Sequence, residues 1–147
     1  MLFLVHHADA VDVVADPQHP LSGAGRAHAE RLAAAARDRG AAPAAIWHSG
    51  KLRARQTAEP FWRLCNPMAE FAAVRDLQPE DPPEWIQQVV EADARDIMLV
   101  GHMPHIARLL ALLTVRTGSM GAFPAHGLVA LERRNDGWVE AWRSAGE

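Results

Sequence analysis

Two histidines in succession, His6 and His7, close the apolar run LFLV at the start of the chain. Downstream, HSGKLRARQTA (48–58) offers His48, Ser49 and Arg53, and LVGHMP (99–104) offers His102. Such a set could support three outcomes. In phosphoryl transfer, a histidine attacks phosphorus while an arginine and a second histidine neutralise the equatorial oxygens. Arg53 suits that task because a guanidinium stays charged and holds two phosphate oxygens at once. It also falls in the first turn of an expected helix, where free N–H groups favour an anion. In metal-assisted hydrolysis the histidines would be ligands. Against this, the chain has no H-E-x-x-H motif, and Arg53 would repel a cation. The third outcome is no chemistry, with the histidines incidental to a binding module.

The elements that must carry these residues follow from periodicity. Leu2 to Val5 reads as a buried strand, and adjacent His6 and His7 should then face opposite sides of a sheet. PLSGAGRAHAERLAAAARDRG supplies Ser22 as N-cap, an Ala-rich amphipathic helix and Gly40 as its stop. AAIW (44–47) is a second strand, and the helix after it should be kinked or restarted at Pro60. AEFAAV (69–74) is a weaker strand, followed by the loop LQPEDPP. Glu84 to Ala94 reads as a helix with Trp85, Val89 and Ala92 on its packed face. DIMLV (96–100) is the clearest buried strand, and Pro104 opens the next helix. GLVALERRNDGWVEAWRS is a hairpin turning at Asn135, Asp136 and Gly137.

Strands alternating with helices predict an α/β three-layer sandwich: a mostly parallel central sheet, helices on both faces and a C-terminal antiparallel hairpin. Ligands of such sheets bind beyond the carboxyl ends of the strands. Three strands end in His6–His7, His48–Ser49 and Gly101–His102, so polar groups converge on one rim. The 147 residues suit a single domain, 1–147, with no lid insertion. A net charge of -3 and scattered arginines argue against nucleic acid. The single cysteine, Cys65, excludes an internal disulfide and a Cys-based zinc site. The apolar start is too short for a signal peptide or membrane span, so a cytoplasmic protein with no membrane partner is expected.

LFLVHHADA, PLSGAGRAHA, HSGKLRARQTA and LVGHMP, in this order, resemble the motifs of the histidine phosphatase superfamily, which shares its fold with phosphoglycerate mutases. The similarity extends to about residue 113, and RARQTA is its most specific part. With no long insertion between Phe71 and Glu84, the chain is similar to the compact bacterial branch that removes phosphate from phosphohistidine on proteins. The resemblance implies a metal-independent phosphatase without cofactors, working through a phosphohistidine intermediate. It makes His7 the nucleophile, Arg53 a phosphate clamp and His102 the second histidine. Ser49 would shape its loop, and Asp9 or the backbone after His7 would orient the imidazole. Glu80 or Asp81 is the local candidate for a leaving-group acid, which a phosphohistidine substrate needs little. The implied partner is a phosphorylated protein, such as a histidine-phosphotransfer domain, or a small phosphoester, and the protein itself is expected to be a monomer. His28 reads as a surface residue, and His105 as a cap or cover of the site.

Position 6 departs from the family pattern, which has arginine before the nucleophile. His6 replaces a permanent cation by a group half-charged near pH 6.5 in its ordinary state. A bound dianion would favour its protonated form, so His6 remains a candidate phosphate-binding residue. The alternative is a weak or inactive phosphate-binding or phosphoprotein-binding pseudoenzyme.

Overall fold

The computed structural model describes residues 1–146. Its sheet is built from β1 (Leu2–His6), β2 (Ala45–His48), β3 (Glu70–Ala73), β4 (Ile97–Gly101), β5 (Leu128–Arg134) and β6 (Gly137–Ser144). The order across the sheet is β3-β2-β4-β1-β5-β6. The β1–β4, β4–β2 and β2–β3 pairs are parallel, whereas β5 runs antiparallel to both β1 and β6. Helices α1 (Gly23–Asp38), α2 (Leu52–Cys65), α3 (Pro83–Glu91) and α4 (His105–Leu113) complete the fold. This is the expected α/β sandwich, its antiparallel hairpin turning at Asn135 and Asp136.

β1 lies in the interior of the sheet, so both its faces are buried and its side chains divide between two cores. Leu2 and Leu4 join Leu99, Ile86, Val90, Ile106 and Leu109 on the α3–α4 side. Phe3 and Val5 join Leu32, Ala33, Ala54, Phe61, Met98 and Val100 on the α1–α2 side. The period of two in the strand therefore builds the three layers directly.

Two local expectations change. Pro60 lies within an uninterrupted α2. It lacks an N–H to give the preceding turn, but Ala54, Thr57, Ala58 and Phe61 are buried around it and hold the helix in register. α3 packs through Ile86 and Val90, while Trp85 and Val89 are on its exposed side, 52% and 44% accessible. The apolar stripe of α3 is wider than one helix can bury, and the β-branched pair at i, i+4 occupies the inner position. Among the described residues, no helix is long and apolar enough to cross a membrane.

α1 begins as the sequence predicts. Ser22 Oγ accepts from Gly25 N at 2.9 Å and donates to the Asp9 carboxylate at 2.7 Å. The same turn presses Gly25 against the carbonyl of Asp9, leaving no room for a Cβ. The helix stops at Gly40, whose φ of +82° closes a turn disfavoured for other residues. Gly25→Ala is therefore expected to lower stability by about 1–3 kcal/mol by forcing α1 away from the segment after β1. A urea midpoint unchanged from wild type would refute the close approach.

Candidate active site at the strand ends

The sheet ends its central strands at one rim, and the backbone fixes where. His7 N–H donates to Gly101 O at 3.0 Å, and His6 N–H donates to Gly127 O at 3.0 Å. β1 is thus bonded on both sides up to its last residue. Beyond His6 the strand pleat stops, so the two rings do not stay on opposite faces. Their centroids are 4.7 Å apart, and the His7 ring is 5.1 Å from that of His102 at the end of β4. The expected convergence of β1 and β4 is present.

α2 supplies Arg53 and the brackets that hold its first turn. Thr57 Oγ1 accepts from Ala8 N at 3.0 Å and donates to Arg53 O at 2.8 Å, so one buried hydroxyl couples the residue after His7 to the turn bearing Arg53. Gln56 Oε1 accepts from Leu21 N at 2.8 Å and anchors the segment leading into α1. The Gln and Thr of RARQTA are structural ties between three segments. Ser49 lies 2.6 Å from His102 Nε2, and Gln78 Nε2 donates to Ser49 O at 2.7 Å. Ser49 thus orients the second histidine besides shaping its loop.

Hydrogen-bond partners fix the state of each imidazole, since a carbonyl can only accept and an amide N–H can only donate. His7 Nδ1 is 2.7 Å from Ala8 O, so it carries the proton and leaves Nε2 with a free lone pair. The backbone after His7, rather than Asp9, orients the ring; Asp9 serves the α1 cap. Burial, with Arg53 nearby, pushes the His7 pKa down to about 4 despite the opposing pull of the Ala8 carbonyl. At neutral pH His7 is a neutral imidazole with a free nitrogen.

His6 is in the opposite state. Its Nδ1 accepts from His126 N–H at 2.8 Å, so the neutral ring carries its proton on Nε2. Burial and the neighbouring His7 and His126 lower its pKa to about 3. Protonation would set two donors against each other at Nδ1. His6 is therefore a neutral N–H donor at neutral pH, whereas the expectation from sequence is a group half-charged near pH 6.5.

Two polar atoms beside His7 are buried without partners: Arg53 Nε and His102 Nδ1. Burial lowers the pKa of His102 to about 3, with His7 and Arg53 adding to the effect, so its ring is neutral as well. Among the described residues Arg53 has no ion-pair partner. A buried, uncompensated guanidinium N–H is costly unless an anion completes it. Arg53 Nε–H and the His6 Nε2–H thus make no hydrogen bond among the described residues.

One nitrogen from each of His6, His7 and His126 lies within 4.8 Å of the others, which raises the question of a metal. The tautomers do not fit a three-histidine ligand set. His7 and His126 can each present a lone pair, but the His6 lone pair already accepts the His126 N–H. Arg53 adds a positive charge near His7.

The two acids of the LQPEDPP loop make no hydrogen bond or ion pair to the histidine cluster. Glu80 is an exposed side chain 3.8 Å from Arg108 of α4. Asp81 accepts from Gln78 N at 2.9 Å and lines a cavity of about 480 Å³ with Ser49, Arg75 and Asp76. His28 is half-buried and bonded to His126 O at 2.9 Å, so it is not a surface residue. His105 is fully buried in the first turn of α4.

His126 is the residue the motifs did not single out, though its ring stacks on His6 at 4.7 Å. Its signal in the sequence is its place just before β5. An antiparallel neighbour of β1 must begin at the rim where β1 ends, so the residue ahead of β5 reaches the site.

Against known proteins, the profile of the histidine phosphatase superfamily (branch 1) matches residues 3–78, just over half of the chain. Among solved structures, the assigned phosphohistidine phosphatase SixA from Agrobacterium tumefaciens superposes with a TM-score of 0.82 at 26% identity, covering 98% of this chain and 96% of that one. The protein histidine phosphatase SixA complexed with tungstate gives 0.85 at 19% identity, covering 99% and 96%. A mycobacterial glucosyl-3-phosphoglycerate phosphatase gives 0.71 at 16% identity, covering 96% and 97%, a likeness of fold alone. No curated protein matches in a sequence search.

The lowered histidine pKa values carry a stability consequence. Unfolded histidines take up protons below about pH 6.5, whereas folded His6, His7 and His102 do so only near 3 to 4. The unfolded state then binds more protons in that window, so stability falls as pH drops through it. The imidazole proton resonances of these three residues are expected not to titrate between pH 8 and 5, while the urea midpoint declines from pH 7 to 5. A midpoint near pH 6.5 for all three would contradict their burial as neutral rings.

Proposed function

The chain belongs to the histidine phosphatase superfamily, and from that premise we propose a metal-independent phosphatase that acts through a phosphohistidine formed on His7. The observation that carries this reading is the pairing of a nucleophile and its anion cradle. A neutral His7 with a free Nε2 sits beside Arg53 Nε and His102 Nδ1, two buried polar atoms without partners.

In the first step His7 Nε2 forms a bond to phosphorus while the bond from phosphorus to the leaving group breaks. The positive charge that develops on the ring remains at Nδ1–H, held by Ala8 O. Arg53 meets the equatorial oxygens with its permanent charge, and His6 contributes a neutral N–H. A Ser49 hydroxyl donating to His102 Nε2 would leave the His102 proton on Nδ1 as a further donor. In the second step water attacks the phosphoryl group, the His7–phosphorus bond breaks, and neutral His7 and inorganic phosphate result.

The substrate class follows from what the cradle lacks. An alkyl ester needs an acid to protonate its leaving oxygen, and neither Glu80 nor Asp81 is bonded into the cluster. Phosphohistidine releases an imidazole, a good leaving group with an ordinary pKa near ~6.5. A phosphorylated protein is therefore the proposed substrate, in line with the names of the SixA structures. One observation favours a second reading, phosphate binding without turnover: position 6 offers a neutral donor where the family has a charged one.

A test uses phosphohistidine protein, p-nitrophenyl phosphate and an alkyl phosphate beside His7→Ala and Arg53→Ala. We expect phosphate release ranked in that order, an acid-labile phosphoenzyme absent from His7→Ala, and a loss of about 10²–10³ in kcat/KM for Arg53→Ala. Chelators should leave the rate unchanged. Oxyanion binding without release from any substrate would favour the second reading.

A further inference from the structure

His126 occupies a strained and heavily bonded position. Its φ is +53°, a left-handed conformation uncommon for a residue with a side chain. Its backbone N–H donates to His6 Nδ1 at 2.8 Å, its ring Nδ1 donates to His7 O at 2.7 Å, and its carbonyl accepts from His28 Nε2 at 2.9 Å. The residue ties both histidines of β1 to α1. The ring itself needs a further reason, because the N–H bond to His6 would survive almost any substitution.

The tautomers supply one. With Nδ1–H committed to His7 O, the free nitrogen of His126 is Nε2, and it makes no hydrogen bond among the described residues. His6 cannot gain a proton without breaking its bond to the backbone. His126 can, because a proton at Nε2 adds a donor and disturbs nothing already formed. A bound dianion beside the cluster would favour that proton by direct attraction. The ring lies flat against His6, with an angle of 10° between the planes.

We propose that His126 is a further phosphate-contacting residue, whose ring, protonated at Nε2 on anion binding, supplies the positive charge that His6 does not carry. The inference rests on the phosphatase reading above, since it assigns a role within the same cradle. Position 6 and position 126 then act as a pair: a neutral donor with its charge carried by the stacked neighbour.

The groups that face His126 are His6 of β1, His7 and Asp9 just beyond it, and His28 and Arg31 of α1; Arg53 bears on the neighbouring His7. Asp9, His28 and Arg31 line a cavity of about 270 Å³ with His126. The Asp9 carboxylate is engaged by Ser22 Oγ. Arg31 and Arg53 keep their charge throughout the neutral range. The low pKa values of His6 and His7 keep them neutral there. His28 is the remaining group to control for.

The test is calorimetric binding of sulfate, a monomeric dianion across the range used, at pH 6 and pH 8. Wild type, His126→Asn, His28→Asn, His6→Arg and Arg53→Ala are compared. Asparagine tolerates the left-handed backbone and keeps the N–H to His6; His126→Gly serves should the asparagine variant not fold. We expect wild type to bind at least tenfold more tightly at pH 6 than at pH 8. His126→Asn should bind at both pH values as weakly as wild type does at pH 8, and His28→Asn should retain the wild-type difference. Equal affinities for wild type and His126→Asn, alongside a loss in Arg53→Ala, would overturn the role of His126 while leaving the phosphate site standing. No sulfate binding by wild type would overturn both readings. Stoichiometric zinc binding lost in His126→Asn and His6→Arg would overturn the anion role in favour of a metal site.

Discussion

Everything at the candidate site depends on β1 being buried on both faces at the centre of the sheet. Leu2, Phe3, Leu4 and Val5 are each at most 3% exposed, and alternate between the two cores. Four side chains of this size, fully withdrawn from water, contribute on the order of 1.5–3 kcal/mol each before conformational entropy is counted. With parallel β4 on one edge and antiparallel β5 on the other, the strand cannot slide without exposing both sets. Its end is consequently a fixed point, and the histidines that follow inherit that rigidity.

From that point the site is assembled by backbone bonds rather than by side-chain pairs. His7 N–H on Gly101 O, His6 N–H on Gly127 O and Ala8 N–H on Thr57 Oγ1 hold the main chain from three directions. The Thr57 hydroxyl reaches on to Arg53 O, so the chain beside His7 and the turn bearing Arg53 are set by one shared group. Such second contacts keep reacting groups in place before a substrate arrives.

Electrostatics completes the arrangement. Burial keeps His6, His7 and His102 neutral, which preserves a free nitrogen at His7 and leaves Arg53 as a cation that bears on both His7 and His102. On the proposed function, an anion at this site would meet the Arg53 guanidinium and oriented N–H groups. The carboxylates of the LQPEDPP loop stand apart, one on Arg108 and one on a backbone N–H.

Much of this was legible in the residues alone. The period-two run of β1, the Ser22 cap and the Gly40 stop specify local structure by short-range sterics and hydrogen bonding, so the α/β sandwich and the convergence of the ends of β1 and β4 could be read directly, while the grouping of His7, Arg53 and His102 rested on the resemblance of the motifs. The inner face of α3 could not, because Trp85 and Val89 are as apolar as the residues that outcompeted them, and only the shape of the opposing core decides. Nor could the charge state of His6, since an imidazole's proton is placed by whichever group lies 2.8 Å away, here the backbone N–H of a residue 120 positions distant. His126 escaped for the same reason: β5 runs antiparallel to β1, so its beginning, not its end, lies at the rim. Sequence determined which elements form and which polar groups their ends carry; tertiary structure decided tautomer, charge and neighbour, because those depend on long-range pairing that no local pattern encodes.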